Sequence, residues 1–369
     1  EPLPGANVAW VNTKIFTVTA EDGSFSVDKP KDSETLVISY IGFENDTIHV
    51  DSENVKLEIV LREGLSLGEV NVVRRRFGTT KLRSSAMNVD IISSAELSRA
   101  ACCNLGESFV TNPSVDVSYS DAATGAKQIK LLGLSGTYVQ MMTENIPNYR
   151  GAAAPYGLGY IPGPWMQSIQ VSKGSSSVKN GYESITGQIN VEFKKPQLPE
   201  ADWVSANLFA SSTGRYEANA DATLKLSKRW STSLLAHYEN ETMAHDANHD
   251  GFADIPRVEQ YNLWNRWAYM GDHYVFQAGI KALSEWRNSG QVNHGGNPGQ
   301  ELYKIGIDTR RYEAFTKNAY IFNKEKNTNL ALILQGTFHN QNAVYGHKLY
   351  DVDQTNVYAS LLFETEFSK

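Results

Sequence analysis

The sequence has few cysteines, no long apolar run and no excess of basic residues. Cys102 and Cys103 are the only cysteines and are adjacent, which excludes a disulfide framework and a four-cysteine zinc site. The longest apolar run, Leu330 to Leu334, has five residues, far fewer than the ~18 that a membrane-spanning helix needs. The formal net charge of −7 offers no basic surface to a nucleic acid. We therefore exclude a helical membrane protein and expect no nucleic-acid partner.

Aromatic residues make up 11% of the chain, and its 28 glycines outnumber its 12 prolines, which favours many strands joined by turns. The histidines are scattered, with no HExxH and no nucleophile–base arrangement, so we expect no enzyme activity. The chain starts at EPLPGANV without a signal peptide and stops within the strand-like LLFETEFSK. We therefore expect it to be part of a longer protein.

Residues 1–63 contain short strand-like runs separated by turn residues, and their spacing predicts a small β-sandwich that serves as a structural or docking module. The runs are ANVAWV, SFSV, TLVISYIGF and KLEIVL. Residues 64–86 read as a linker, because three consecutive arginines at 74–76 are followed by Gly78. Within this linker, the segment 68–73 is apolar enough to pair with a free sheet edge of a partner, or it continues the sandwich.

Residues 87–197 combine apolar residues at helical spacing with segments that have the two-residue period of strands, which predicts a compact α+β domain. An N-cap pattern at Ser93 to Glu96 precedes apolar residues at helical spacing through Leu105 and Phe109. Several glycine-punctuated strand candidates follow. The segment from Asn145 to Trp165 is rich in glycine, proline and aromatic residues and shows no regular element. Such a segment within a compact domain is either functional or held by a partner surface.

Residues 198–369 alternate between apolar and polar residues, strictly at 216–226 and less regularly around 309–323, which predicts about eight antiparallel strands. The strands of a soluble sandwich would also alternate, so we use the lengths of the connections to distinguish a sandwich from a membrane barrel. Short turns near 213, at 227–229, at 271–273 and at 324–328 contrast with long loops from 242 and from 287 and an intermediate loop near 340–352. Short turns at one end and long loops at the other are typical of a transmembrane β-barrel. The expected strands that start at the end with the short turns begin with aromatic residues: Trp203, Trp230 and Tyr274. In a membrane barrel, a girdle of aromatic residues lies at this position, at the membrane interface.

Two sets of motifs carry a resemblance that covers nearly the whole chain. Residues 1–63 contain PLPGANV, TAEDGSFSV, LVISYIGF and KLEIVL, which resemble a carboxypeptidase-regulatory-like domain. Residues 87–197 contain NLGESFVTNPSVDV, IKLLGLSGTYVQMMTENIP and SIQVSKGSSSVKNGYESITGQINVEFKKP, which resemble a plug domain. Through both sets, the chain resembles a TonB-dependent outer-membrane receptor of Gram-negative bacteria. Lys130 to Gly133 departs from the arginine–glycine step that is common there. We refer to residues 87–197 as the plug region.

The resemblance implies a mainly β protein: the sandwich, the α+β plug, and antiparallel transmembrane strands. The family's barrel has 22 strands, of which this chain supplies about eight. Eight strands close into a tube that their own side chains fill, with no space for a plug, so the remaining strands are expected elsewhere in the protein.

The resemblance also implies a function: energised uptake of a scarce solute in the cell outer membrane. Metal chelates (siderophore, haem or copper complexes) and cobalamin are the expected solutes, with a carbohydrate as an alternative. Expected partners are the TonB–ExbB–ExbD complex, outer-membrane lipid and a surface lipoprotein. The competing hypotheses are a non-transporting surface-assembly or adhesion protein that reuses the fold, and a soluble array of β-sandwiches.

Two sets of site residues accompany this function. The segment that resembles an energy-coupling box or a linker remnant consists of Gly68, Glu69, Val70, Asn71, Val72 and Val73. The expected ligand surface at the plug apex, within 147–165, consists of Tyr149, Arg150, Tyr156, Tyr160 and Trp165.

Two constellations suggest metals, although no cofactor is required. Asp246, Asn248, Asp250 and Asp254, with Gly251 and the carbonyl of Phe252, have the spacing of a calcium loop. The usual glutamate at the twelfth position is absent, and the alternative is a polar turn without metal. Cys102 and Cys103 with Met141 and Met142 offer soft ligands for an ion such as copper(I), although buried core residues are favoured there.

Overall fold

The computed structural model describes the chain in segments. These are residues 2–3, 5–11, 13, 15–30, 34–40, 46–50, 56–61, 80–81, 88–99, 103–110, 112–134, 136–174, 180–181, 183–197, 203–292, 301–324 and 326–366. The chain divides into two compact units, Glu1–Val73 with Phe322–Thr328 and Glu364–Lys369, and Arg74–Ile321 with Asn329–Phe363. Among the described residues, no helix is long and apolar enough to cross a membrane.

The N-terminal residues form one antiparallel sheet. Its strands are β1 (Asn7–Trp10), β2 (Phe16–Val18), β3 (Thr35–Ser39) and β4 (Asp46–His49), in the order β2-β1-β3-β4. Val8, Trp10, Leu36 and Ile38 alternate along β1 and β3 and form its core.

One expectation for this region was wrong, because residues 56–61 make no strand. The described residues show one sheet, and the β-sandwich stays a prediction. Leu57, Ile59 and Leu61 alternate because they pack against the same core, without a backbone partner.

The plug region is built on a six-stranded sheet. Its elements are β5 (Thr80–Lys81), β6 (Asn88–Ser93), helix α1 (Ser94–Arg99), β7 (Val115–Asp121), β8 (Ala126–Leu131), β9 (Val139–Thr143), β10 (Ile146–Pro147), β11 (Met166–Lys173) and β12 (Gly187–Phe193). The sheet order is β10-β9-β12-β11-β6-β5, with β9 and β12 parallel, while β7 and β8 form a separate hairpin. All seven residues of β12 are buried, because this strand lies in the middle of the sheet.

The helical pattern from Ser94 to Phe109 does not form one helix. Helix α1 has only six residues, and Leu105–Phe109 is a separate turn of 3₁₀ helix. The Asn104 side chain accepts a hydrogen bond from the Glu107 N–H, which begins this second turn.

Residues 204–364 form an eight-stranded antiparallel sheet in sequential order. The strands are β13 (Val204–Ala210), β14 (Arg215–Lys225), β15 (Trp230–Glu241), β16 (Arg257–Met270), β17 (Tyr274–Gly290), β18 (Lys304–Asn323), β19 (Thr328–Tyr345) and β20 (Lys348–Glu364). The connections from β15 to β16 and from β17 to β18 are the long ones, and both follow strand ends on the same side of the sheet. The expected loop at 340–352 was wrong: β19 continues to Tyr345 and only Gly346 and His347 separate it from β20, because polar residues do not end a strand whose backbone stays paired.

The two faces of this sheet reverse the pattern of a water-soluble sheet. On β16, Arg266 is 2% exposed, whereas Leu263 and Trp267 on the opposite face are 49% and 41% exposed. Lys281 on β17 is buried and Ile280 beside it is exposed. A polar inner face and an apolar outer face are typical of strands that line a membrane barrel.

Aromatic residues cluster at the short-turn end of the sheet, as expected. The ring of Trp230 lies 5.1 Å from that of Tyr269, which lies 6.1 Å from that of Tyr274. All three belong to strand ends beside short turns, where an aromatic girdle meets the membrane interface.

Candidate ligand site between the plug region and the sheet

The plug segment that follows β9 lies against the polar inner face of the eight-stranded sheet. Three of its non-glycine residues have left-handed backbone conformations: Glu144 (φ 54°), Asn145 (φ 61°) and Tyr149 (φ 53°). Such conformations cost free energy and persist where the surroundings hold them in place. Two groups of charged sheet residues provide that hold.

The first group, the Glu144 cluster, joins the end of β9 to β16 and β18. The Glu144 carboxylate accepts a 2.9 Å hydrogen bond from Arg266 Nη2, and both side chains are only 3% exposed. Lys317 lies 3.6 Å from this carboxylate and donates a 2.6 Å hydrogen bond to the Glu144 carbonyl. Burial alone would raise the pKa of Glu144, but the charges of Arg266 and Lys317 outweigh burial and lower it.

The second group, the Glu313 cluster, holds Asn148 and Tyr149. Arg311 Nη2 donates to the Asn148 side-chain oxygen at 2.6 Å, and the Asn148 amide donates to Glu313 at 2.8 Å. Lys281 Nζ donates to the Tyr149 hydroxyl at 2.9 Å and to the Tyr160 carbonyl at 3.0 Å. These contacts fix both the side chains and the backbone of the segment against the sheet.

The structure places the expected ligand-surface residues along this interface. Tyr149, Tyr156, Tyr160 and Trp165 are at most 6% exposed, whereas Arg150 is half-exposed and pairs with Glu183 at 2.7 Å. Trp165 packs against Trp264 and His237 of the sheet. Their contact with a solute stays a prediction.

A polar cavity lies where the plug region meets the sheet at the end with the long connections. Its volume is about 120 Å³, well above the ~10–15 Å³ that a single water needs. The backbone around Pro155 to Gly159 and the tip of the β7–β8 hairpin form its plug side. Its charged lining consists of Glu107, Lys127, Arg215, Glu239, Glu241 and Arg287.

Two arginines of the cavity are fixed by carboxylates. Arg215 Nη1 donates to Glu107 at 2.8 Å, and its Nε lies 2.7 Å from Glu217 and 3.1 Å from Glu239. Arg287 makes two hydrogen bonds to Glu285, at 2.6 and 2.8 Å. Burial would raise the pKa of Glu107, but Arg215 lowers it more, so this carboxyl group is ionised.

Sequence reasoning missed this cavity. Glu107 and Lys127 lie in the plug region and Arg215 and Glu241 in the sheet, with no local motif that joins them. The sequence contained only a weak indication of it. Arg215 and Glu241 are among the polar residues that alternate with apolar ones along β14 and β15, and a barrel would place these polar residues on its inner face.

The loop with calcium spacing is closed by its own hydrogen bonds. The Asp246 carboxylate accepts from the backbone N–H groups of Asp250 (3.1 Å) and Gly251 (2.9 Å), and Asp254 accepts from that of Ala247 (2.7 Å). Among the described residues, no three His, Cys, Asp or Glu side chains are grouped to hold a metal. Calcium in this loop stays a prediction.

The cysteine–methionine constellation and the coupling segment stay predictions as well. Cys103 is buried beside Glu217, and burial raises the pKa of its thiol, while Met141 and Met142 lie on β9 in the plug sheet. A raised pKa disfavours the thiolate that would bind a metal. Cys102 and the segment from Gly68 to Val73 lie outside the described residues.

Comparison with known proteins identifies the domains. Residues 1–72 match the family model of the CarboxypepD_reg-like domain, and residues 81–188 match that of the TonB-dependent Receptor Plug Domain. TonB-dependent receptor P39 of Formosa agariphila is 38% identical over 98 residues, which are 26% of this chain and 9% of that protein.

Solved receptor structures have the same fold. The alcaligin outer-membrane receptor FauA of Bordetella pertussis (TM-score 0.58, 13% identity) and the siderophore receptor PiuA of Acinetobacter baumannii (0.58, 12%) each match 76% of this chain. The chain spans 44% and 43% of those two proteins. The two family models, the curated relative and this shared fold agree: the chain contains a CarboxypepD_reg-like domain and a TonB-dependent receptor plug domain, and it has the fold of TonB-dependent receptors.

Proposed function

We propose that the protein is a receptor in the cell outer membrane that takes up a scarce solute with energy supplied by a TonB–ExbB–ExbD complex. Its solute is a metal chelate, such as a siderophore, haem or copper complex, or cobalamin. A surface lipoprotein that delivers the solute is a further proposed partner. The match to a receptor plug domain favours transport.

The observation that carries this proposal is the ionic contact between the plug and the inner face of the strands. Arg266, Lys317 and Arg311 are charged side chains that would be costly to bury in a wall without a plug. Here they hold the side chains of Glu144 and Asn148 and the Glu144 carbonyl of the plug against the inner face of the sheet. A plug that is held by polar contacts can close a pore and can still be displaced when the energy-transducing partner exerts force on it.

The solute class rests on relatives. FauA is the alcaligin receptor and PiuA a siderophore receptor, and a further relative of Pseudomonas aeruginosa binds ferripyoverdine (TM-score 0.55, 15% identity). At these identities the likeness concerns the fold, so the solute is our proposal.

Deletion of residues 68–73 in the whole protein tests the energised step. Strand addition by this segment would give the energy-transducing partner a grip through several parallel hydrogen bonds. We expect the deletion to stop accumulation of the transported solute, measured with labelled iron chelates, copper, cobalamin and a glycan. Binding of the same solute to chilled cells should be unchanged, which controls for folding and surface delivery.

The alternative, a static assembly or adhesion role, gives the opposite result. Cells would then accumulate none of the solutes through the intact protein, and the deletion would leave adhesion unchanged. An uncoupler of the proton gradient that leaves uptake unaffected would also contradict the energised mechanism.

A further inference from the structure

The wall of the polar cavity carries more carboxyl groups than basic side chains. The basic side chains of its lining are Lys127, Arg215 and Arg287. The carboxyl groups in the lining or paired with these arginines are Glu107, Glu217, Glu239, Glu241 and Glu285. His237 and His245 lie near two of these groups and count as neutral at neutral pH. The carboxylates therefore exceed the cations by two, and protonation of one carboxylate would still leave an excess of one.

The basic side chains are already shared among these carboxylates. Arg215 alone faces three of them, with its nitrogens 2.7–3.1 Å from their oxygens. Glu107 and Glu239 both attract the Lys127 ammonium, and Arg215 also attracts the charge of Glu241. A bound anion would add to the excess of negative charge, whereas a bound cation would offset it.

Two buried oxygen atoms of the lining lack a donor. Glu241 is 7% exposed, and its Oε1 atom has no hydrogen-bond partner among the described residues. Gln260 is 1% exposed; its amide nitrogen donates to Glu285 at 2.7 Å, but its Oε1 atom has no partner in the same part of the chain. Gln260 pairs with Glu239, two residues before Glu241, so both side chains lie on the inner face. Buried acceptors of this kind are costly unless a donor reaches them.

The type of cation follows from the donors and acceptors of the lining. Within the described ranges, no three His, Cys, Asp or Glu side chains are grouped to hold a metal ion, which favours an organic cation. An ammonium group has three donors and no acceptor, and therefore fits two oxygens that lack a donor. One donor, Arg215 Nη2, also has no partner among the described residues, and a water or a neutral hydroxyl group can satisfy it without adding negative charge.

We propose that this cavity binds a primary ammonium group of the solute. Its N–H groups donate to the Oε1 atoms of Glu241 and Gln260, and its charge offsets the excess of carboxylates around Arg215. This inference rests on the proposed function, since it describes part of the solute that such a receptor admits. It narrows the solute class to compounds, metal chelates included, that carry a free amino group.

Ligand-detected saturation-transfer NMR on the whole purified receptor in detergent tests the proposal. The probes share a two-carbon chain and differ in charge: ethylammonium is a cation, ethanol is neutral and acetate is an anion. All three are titrated at the same ionic strength, because salt weakens charge interactions. We expect ethylammonium to bind at least about tenfold more tightly than ethanol or acetate, because only the cation satisfies both oxygens and offsets the excess of carboxylates.

Two variants of the lining should change the affinity for ethylammonium in opposite directions. Glu241→Gln removes one negative charge at nearly constant shape and should weaken ethylammonium binding about tenfold or more. Lys127→Met removes a cation from the wall and should tighten ethylammonium binding about threefold or more. A variant that merely disturbed the cavity would weaken binding in both cases. Unchanged amide exchange in the β7–β8 hairpin shows that each variant has kept its fold.

The matched controls are a lysine and a glutamate that lie outside the cavity lining. Lys130→Met lies on the same plug strand as Lys127, and Glu364→Gln changes an exposed residue at the end of β20. Neither control should change the affinity for any of the three probes.

Four results would overturn the proposal: ethylammonium does not bind, so that the carboxyl groups are neutralised by protons alone; ethanol or acetate binds as tightly; Glu241→Gln leaves the affinity unchanged; or Lys127→Met weakens binding. The experiment needs no energy source or partner, so its outcome is independent of the uptake test. A receptor that binds ethylammonium here but fails to accumulate solute would contradict the transport function alone.

Discussion

The Glu144 cluster and the polar cavity both place plug residues against charged side chains of the sheet, but they use their charges differently. Glu144 faces two cations, and its carbonyl also accepts a hydrogen bond from one of them. In the cavity, the Glu241 Oε1 and Arg215 Nη2 atoms have no hydrogen-bond partner among the described residues. A fully paired buried cluster holds two parts of a protein together. We therefore infer that the first region fastens the plug.

Removal of Arg266 is the strongest way to break this comparison. Arg266→Met leaves the buried Glu144 carboxylate without its hydrogen-bonded arginine and with only the weaker influence of Lys317 and Lys195, and breaking a buried ion pair costs about 3–5 kcal/mol. If the cluster fastens the plug, amide hydrogen exchange in residues 139–149 should become roughly a hundredfold faster or more. Exchange in the β7–β8 hairpin at the cavity should change much less.

Two controls separate charge from packing. Arg310→Met removes an exposed arginine that pairs with Asp308 at 3.8 Å, and we expect almost no effect. The double variant Arg266→Met with Glu144→Gln removes both charges and should recover most of the protection. Unchanged exchange in Arg266→Met would show that the cluster does not fasten the plug.

The acid dependence of plug docking sharpens the same contrast. The pKa of Glu144 is lowered in the folded protein, so its contribution to stability is present above its unfolded pKa of ~4.3 and is lost as the pH falls through the folded value. Amide protection of residues 139–149 should therefore be constant from neutral pH to about pH 5 and fall in more acidic solution.

Glu144→Gln should remove this acid dependence, because the amide does not titrate. Arg266→Met should move the loss of protection to higher pH, since burial then dominates the pKa of Glu144. An acid profile that Glu144→Gln leaves intact would assign the titration to another group.

The regular parts of the fold could be predicted from the sequence, because a strand with one polar and one apolar face has a two-residue period in its sequence. The two-residue period correctly predicted strands β14 to β18. In β18 the alternation is less regular, because Arg311 and Thr309 are buried there. It failed at 56–61, where alternating residues pack on a core without a partner strand, and at 340–352, where a polar stretch stays paired.

The cavity could not be predicted, because its charges come from elements far apart in the sequence. Lys127 lies on the plug hairpin and Glu241 at the end of β15, and neither has a neighbour in sequence that marks its role. Tertiary packing alone decides which groups are paired: Arg287 pairs with Glu285, whereas the Glu241 Oε1 atom has no hydrogen-bond partner among the described residues. Such pairing depends on the tertiary structure and cannot be predicted from the local sequence.

The loop at 246–254 provides a third arrangement of carboxylates and the smallest expected effect. Asp250 and Asp254 accept hydrogen bonds from backbone N–H groups and make no salt bridge in the described residues, so their mutual repulsion is only partly offset. We predict that calcium binds here through side-chain oxygens. At a free calcium concentration ten times the Kd, amide exchange within the loop should slow about tenfold, with no change at residues 139–149. Asp250→Ala should abolish this response and Asp272→Asn, an exposed aspartate in a short turn, should not. Exchange that is unchanged at millimolar calcium would show that these oxygens only shape a polar turn.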